Sequence, residues 1–413
     1  MTQAPRPAWP NAPDPAAAQA YLSAATAPLV RGPLFSPKTA AVAGGSPQAL
    51  GFAVALARAG VAVTLIEDDQ HDALRVRETL ARAEALTGID IVIGQPASLR
   101  TDLLVEASGN CPLQRAALIA DLSPIAGTNG LILSLGPDPS VDARSRAASY
   151  TDRLLFIDTA APPPHIGLIE ILDLGATSEL ALSRAEGLAR LLGAIPLRTP
   201  SFIAAPLLAC FEDCAEHLIF HGSNPWEVDS ALEAFGFDLG PCAAQDLRGL
   251  DLAYARHRRE DADKARHFPT PVLDRMVPEG RLGRKGSVGW YRYPGGGGRV
   301  IDPLIEDLAR EEAHFAGITP QNLSEATLQH RLILALIDQA ARLHASGVPA
   351  PLIDLVATQA TGFPAALGGP LFFGAHLGFG TAVAHLSDLA QHEGPHWTPS
   401  NALAALAQTK ATA

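Results

Sequence analysis

The stretch Thr39–Glu67 constrains this chain more than any other. An apolar run, Thr39–Ala43, is followed by a glycine-bearing turn, a helical pattern to about Ala59, and a second apolar run, Val61–Ile66, that ends on Glu67. Two strand-length apolar runs around one amphipathic helix make a β-α-β unit of about 30 residues, the opening of a doubly wound parallel sheet. Further short runs at Ile89–Ile93, Leu103–Glu106, Ile125–Thr128 and Leu154–Ile157 extend the sheet to about Arg198. After Thr199-Pro200 the strand signals fade and helical patterns take over.

The turn itself is Gly44-Gly45-Ser46-Pro47-Gln48-Ala49-Leu50-Gly51. A dinucleotide site needs glycines here for a tight turn, for close backbone approach to a pyrophosphate, and for tight packing of helix on strand. Gly44 fits the first position, Ala49 is a tolerated variant of the third, and Ser46 puts a side chain at the second. Pro47 removes an N–H nearby. Glu67 stands where an acidic residue accepts the ribose hydroxyls of NAD and repels the extra phosphate of NADP. The other reading of this segment is a plain strand-turn-helix corner.

A length of 413 residues predicts more than one domain. The boundaries read as a Pro/Ala-rich linker or arm over 1–37, a Rossmann-like domain over 38–198, a helical domain over 199–293, a linker over 294–323, and a second helical block over 324–413. The glycines Gly295–Gly298 lack a following Lys-Ser/Thr and read as linker rather than phosphate loop. A formal net charge of −12 with no Lys/Arg block argues against nucleic acid. The four cysteines, Cys111, Cys210, Cys214 and Cys242, have no CxxC spacing and read as reduced thiols without a metal. No apolar run reaches membrane-span length, and Met1–Pro15 does not read as a signal peptide, so the expected location is cytoplasmic.

Several later stretches carry more specific information: Asp102–Ala107, Arg153–Leu172, Thr199–Ile203, Phe235–Pro241 with Gly249-Leu-Asp251, Gly280–Lys285 with Gly289–Tyr293, and Gly362-Phe-Pro364 with Gly368-Gly-Pro370. In order and spacing they resemble the 3-hydroxyacyl-CoA dehydrogenase family, specifically the dehydrogenase part of the multifunctional β-oxidation enzymes. The resemblance covers the chain from about Ala40 onward. It implies a Rossmann-type NAD domain followed by two related helical domains, an acyl-CoA thioester as ligand, contacts with other β-oxidation proteins, and a monomer or homodimer.

Oxidising a 3-hydroxyl needs a base for the O–H proton while hydride leaves for nicotinamide. The family uses a His oriented by a Glu. By the resemblance, the Glu is Glu170, while the His position is Asp158. The family's Asn-Thr-Ser-Ser-Leu stretch matches Asn129–Leu133, placing Leu131 at the Ser that contacts the hydroxyl, and the cleft Asn reads as Ala205. Around the cofactor, Glu106 ends the fourth strand, the Glu after it reads as Asn110, and a Lys is replaced by Arg115. These changes describe a degenerate member that binds acyl-CoA and NAD, or a partner protein. The alternative is an active NAD-dependent dehydrogenase with a rewired Asp158/Glu170 pair, in which like-charge repulsion raises one carboxyl pKa. His165, in a Pro-rich turn, is a second substitute for the imidazole. The run His257-Arg258-Arg259 reads as a solvated helix face, and Phe363, Phe372 and Phe373 as core.

Overall fold

A computed structural model of the chain describes residues 13–68, 70–82, 88–94, 96, 98–109, 112–136, 148–159, 166–260 and 268–409. They form two compact units: Thr26–Phe202, and Ile203–Ala413 together with Met1–Ala25.

The first unit is an eight-stranded sheet: β1 (Thr39–Ala43), β2 (Ala62–Glu67), β3 (Ile89–Ile93), β4 (Leu103–Glu106), β5 (Leu131–Leu135), β6 (Leu154–Thr159), β7 (Leu168–Leu172) and β8 (Ile195–Thr199). Their spatial order is 3-2-1-4-5-6-7-8. All neighbours run parallel except β6 and β7. The strands read as unbroken apolar runs because both faces are covered. Val42, Leu103, Val105, Leu131 and Leu133 fill one face, and Ala41, Ala43, Leu104 and Ile132 the other. The expected strand at Ile125–Thr128 is corrected: Ser123–Ala126 is a 3-10 turn, and the strand starts at Leu131. An apolar pair beside Pro124 fits a buried turn as well as a strand, so periodicity could not separate them.

After β1 comes helix α2 (Pro47–Arg58), the first described helix being α1 (Pro15–Thr26). Ser46 caps α2, Pro47 occupies its first position, and Ala49, Phe52, Ala53 and Leu56 recur at helical spacing. All four are fully buried, and Phe52 and Leu56 each contribute about 1.5–3 kcal/mol by leaving water. Among the described residues, helices α3 (Gln70–Arg82), α4 (Pro112–Leu122) and α5 (Glu179–Leu191) also cover the sheet. Part of the segment expected as an arm packs here: Arg190 of α5 donates to the carbonyls of Leu29 and Pro33, and Arg184 lies over the Phe35 ring.

The second unit is helical. Its first half holds α6 (Ala204–Phe220), α7 (Pro225–Phe235), α8 (Pro241–Arg248), α9 (Leu250–Glu260) and α10 (Pro271–Met276). A short antiparallel pair follows, β9 (Tyr291–Arg292) with β10 (Val300–Ile301), so Gly295–Gly298 lie in a hairpin turn. Within 294–323, where a linker was expected, the structure has a 13-residue helix, α11 (Pro303–Phe315). The last part holds α12 (Glu325–Ala345), α13 (Ala350–Ala360), α14 (Pro370–Leu377), α15 (Phe379–Glu393) and α16 (Asn401–Thr409). Among the described residues, no helix is long and apolar enough to cross a membrane.

One device occurs twice in this unit. On α7, Asp229 is the fifth residue, and its carboxylate accepts the N–H groups of Cys242 and Ala243 at the start of α8 and the Tyr291 hydroxyl. On α13, Asp354 is the fifth residue, and it accepts the N–H groups of Leu371 and Phe372 at the start of α14 and the Tyr21 hydroxyl. The residue before each capped helix is glycine because the carboxylate lies against it. A Cβ on Gly240 would come within 2.4 Å of Asp229, and one on Gly369 within 2.3 Å of Asp354. The second tyrosine comes from α1, so the start of the described chain completes its C-terminal part.

Candidate functional site

In a doubly wound sheet, ligands bind beyond the carboxyl ends of the strands where the order reverses, here between β1 and β4. A cleft lies at that place, lined by Gly44, Gly45, Ser46, Glu67, Arg75 and Ser108 among others. Gly44 has φ +112°, and a Cβ there would stand 2.5 Å from the backbone of Ser108, so the turn after β1 lies directly against the segment that leaves β4. Glu67 ends β2, and its Oε1 sits 2.1 Å from where a Cβ on Gly45 would be. The carboxylate is thus held at the floor of the turn. Arg75 of α3, which sequence reasoning did not single out, lines the same cleft.

Ser46 is occupied by structure. Its hydroxyl donates to the Ala107 carbonyl at 2.8 Å and accepts from the Ala49 N–H at 3.1 Å. Pro47 has no N–H, so two donors of the first helical turn are unavailable to a phosphate. Ala49 is fully buried against the sheet, which is the packing role of the third fingerprint position, and Gly51 follows on α2. The residues present therefore fit the ribose end of a dinucleotide better than its pyrophosphate.

Glu106 and Arg115, expected at the cofactor, are paired with each other. Arg115 Nε donates to Glu106 Oε2 at 2.9 Å, with both side chains buried. Its Nη2 reaches Ser134 Oγ at 2.6 Å and the Leu135 carbonyl at 3.1 Å, and Ser134 in turn donates to Glu106 Oε2 at 2.6 Å. Ser108 donates its N–H and hydroxyl to Glu106 Oε1. A charge taken from water needs such a full set of partners. Ser134 was missed, although a lone polar residue inside the apolar run Leu131–Leu135 was its signal.

Asp158 and Glu170 are brought together. They are register partners across the antiparallel β6–β7 pair, 8 % and 0 % exposed. Direct partners share one face of a sheet, with Cβ atoms about 5 Å apart. Burial pushes the Asp158 carboxyl up to about 7, against the opposing pull of the Thr159 N–H, which it accepts at 3.0 Å, and the Arg115 guanidinium. The cause of the shift is therefore desolvation first, where the sequence had suggested like-charge repulsion. Asp158 stands at the carboxyl end of β6, three strands from β1, roughly 14 Å along the edge that carries the cleft.

The two substrate-pocket residues matched to the Asn-Thr-Ser-Ser-Leu stretch are not brought to this edge. Asn129 is exposed in the turn before β5, and Leu131 is the buried first residue of that strand. Both lie at the amino end of the strand, opposite the cleft. The match falls at the amino end of β5, whereas the residues leaving its carboxyl end are Leu135-Gly136. Ala205 stands in the first turn of α6, in the helical unit. Asn110, Cys111 and His165 lie outside the described residues. Cys210, Cys214 and Cys242 are free thiols, and no group of His, Cys, Asp or Glu among the described residues has metal-holding geometry. His257 is corrected from a solvated position to a fully buried one. Its Nε2 meets Asp213 at 3.2 Å and its Nδ1 meets Asp274 at 3.0 Å.

Comparison with known proteins adds three facts. The 3-hydroxyacyl-CoA dehydrogenase C-terminal domain family matches residues 202–293. A peroxisomal bifunctional enzyme of Danio rerio is 26% identical over 398 residues, covering 88% of this chain and 55% of that protein, so the chain spans about half the length of this curated relative. Two solved structures share the fold. The 3-hydroxybutyryl-CoA dehydrogenase of Escherichia coli has TM-score 0.68 and 19% identity, with 91% of this chain and 99% of that chain covered. The dehydrogenase part of multifunctional enzyme 1 from C. elegans has TM-score 0.64 and 19% identity, with 90% of each chain covered.

Proposed function

Because the chain belongs to the 3-hydroxyacyl-CoA dehydrogenase family and is related to the dehydrogenase part of the multifunctional β-oxidation enzymes, we propose that it serves fatty acyl-CoA β-oxidation as a binding or partner protein. In this reading it holds an acyl-CoA thioester, keeps NAD in the cleft at Glu67, and has lost the family's imidazole-based proton transfer. The observation that carries it is the buried pair Asp158–Glu170 standing where a His–Glu pair is expected. An imidazole accepts a proton and becomes a cation that the neighbouring carboxylate stabilises. Asp158 offers no such pairing: its working base form is an anion set beside a second carboxyl group in a dry site. Losing a general base costs about 10²–10⁴ in rate.

NAD is the proposed nucleotide because Glu67 at the end of β2 suits free ribose hydroxyls. When bound it would supply the hydride acceptor. This chain's own contribution is the carboxylate of Glu67 and the close backbone of Gly44 and Gly45. The block 324–413 is proposed as a second helical domain of the same type as 199–293, supported by the matching Asp229 and Asp354 devices.

One observation favours the alternative of an active, rewired dehydrogenase. A pKa of about 7 at Asp158 is near the value a general base needs at neutral pH. The deciding experiment follows NADH absorbance with 3-hydroxybutyryl-CoA and a longer 3-hydroxyacyl-CoA, on the native chain and on Asp158→His, with NAD binding measured by calorimetry. The partner reading expects NAD binding without turnover, and gain of turnover in Asp158→His. Turnover by the native chain that Asp158→Asn abolishes would overturn it in favour of the rewired enzyme.

A further inference from the structure

In the first half of the helical unit, α10 packs against both α6 and α9, and His257 of α9 sits at their meeting point. The residue is 0 % exposed, yet both of its ring nitrogens face carboxylates from the other two helices. Nε2 lies 3.2 Å from Asp213 Oδ1 on α6, and Nδ1 lies 3.0 Å from Asp274 Oδ1 on α10. An ionised carboxylate only accepts, so both nitrogens carry protons and the ring is an imidazolium. Burial favours the neutral ring, but the two carboxylates outweigh it and hold His257 at about 9.

The charges around the ring balance while it is protonated. Arg256 of α9 grips Asp213 with two bonds, Nη1 to Oδ2 at 2.9 Å and Nη2 to Oδ1 at 2.6 Å. Glu212, next to Asp213, is paired with Arg248 of α8, and Arg275 of α10 with Glu279, Glu311 and Glu312. Glu216, one turn further along α6 and also buried, accepts the Leu273 N–H of α10 at 2.9 Å. Burial pushes its carboxyl up to about 8, so it is mostly protonated at pH 7. Arg256 and His257 then stand against Asp213 and Asp274, and loss of the ring proton leaves the carboxylates in excess.

The two carboxylates differ in what they can do at that point, because a neutral imidazole keeps only one N–H. The Asp213 side chain is 11 % exposed and fixed by Arg256, whereas the Asp274 side chain is 28 % exposed and can turn to water. The hydroxyl of Thr270, the residue before α10, lies 3.3 Å from Nδ1 and can donate to it once Nδ1 is bare. We propose that His257 is a proton-operated latch between α9 and α10: the charged ring holds Asp274, while the neutral ring keeps Asp213 through Nε2–H, accepts the Thr270 hydroxyl at Nδ1 and releases Asp274 to water. The Nδ1 proton passes to solvent. Leu273 stays on Glu216, which accepts an N–H in either protonation state, so α10 loosens on its Asp274 face and keeps its other anchor.

The test is an NMR titration of the full chain from pH 6 to pH 10, with 15N in the histidine rings and 13C in the aspartate carboxyls, beside Asp274→Asn and Thr270→Val. At pH 7 the native His257 should show two protonated ring nitrogens. As the ring loses its proton, the Asp274 carboxyl resonance should move with the same midpoint while that of Asp213 stays nearly fixed. Asp274→Asn, at a partly exposed position, removes one of the two countercharges and should lower the His257 midpoint by about 1–3 pH units, the range for a neighbouring opposite charge. Thr270→Val takes away the donor that the neutral ring turns to and should raise the midpoint. A bare Nδ1 at pH 7, an Asp274 resonance that does not follow the ring, or an unchanged midpoint in either variant overturns the proposal. If Thr270→Val does not fold, the native titration and Asp274→Asn decide.

Discussion

Asp158 and Glu170 lie directly opposite each other, both buried, across the antiparallel pair of a sheet whose other neighbouring pairs are parallel. Burial raises the folded-state pKa of Asp158 to about 7, whereas the unfolded chain titrates near 4. The folded form therefore holds a proton that the unfolded form releases. The associated stability is fully present below about pH 4 and is lost as pH rises to about 7, on the order of 1–4 kcal/mol in all. Asp158→Asn keeps an acceptor for the Thr159 N–H and removes the titration. Its urea-unfolding free energy should vary less between pH 4 and 8 than that of the native chain, and exceed it at pH 8. Parallel pH profiles for the two proteins would rule out this role for Asp158.

Replacing Arg115 with Met leaves Glu106 buried with its ionic partner gone. Such single losses cost about 3–5 kcal/mol. The double change Glu106→Gln with Arg115→Met should recover a large part of that loss. Denaturant unfolding of the two single variants and the double variant measures the coupling. Simple addition of the two single effects would show that the pair acts separately.

Ser46→Gly should separate capping from nucleotide binding. Glycine is nearly as good a helix cap as serine, so stability should fall by only a few tenths of a kcal/mol, about the difference between these caps. The Ala49 N–H is then released toward the cleft. If NAD binds there with its pyrophosphate at α2, one added hydrogen bond to a charged group should tighten it by about tenfold. An unchanged calorimetric affinity would place the pyrophosphate elsewhere.

Tyr21 and Tyr291 do the same work in the two halves of the helical unit. Each donates its hydroxyl to a buried carboxylate, Asp354 at 2.9 Å and Asp229 at 2.8 Å. Tyr21→Phe should destabilise by about 1.5–3 kcal/mol, the range for a hydrogen bond to a charged group. Amide hydrogen exchange should accelerate at the start of α14 and stay unchanged at α8. Uniform acceleration over both helices would show that the device is not local.

Much of the sheet was legible because a strand buried on both faces must be an apolar run, and a crossover helix must show helical spacing. That reasoning placed β1 to β4 and β6, and in the structure Gly44 and Glu67 line one cleft. It failed at β5, where Ile125-Ala126 and Leu131–Leu135 are both apolar and only pairing with β4 shows which is the strand. Asn129 and Leu131 were drawn to the wrong end of the sheet for this reason.

What the amino-acid order determined alone is therefore the alternation of strands and helices, the corner after β1, and the residues that end β1, β2 and β4. Tertiary structure decided which charges meet. Arg115 turns to Glu106 and Ser134, His257 is enclosed between Asp213 and Asp274, and Tyr21 reaches Asp354 across 333 positions. Local pattern reports which face of an element leaves water, but a buried charge is satisfied by whatever the fold places opposite it, and that partner carries no mark in the neighbouring sequence.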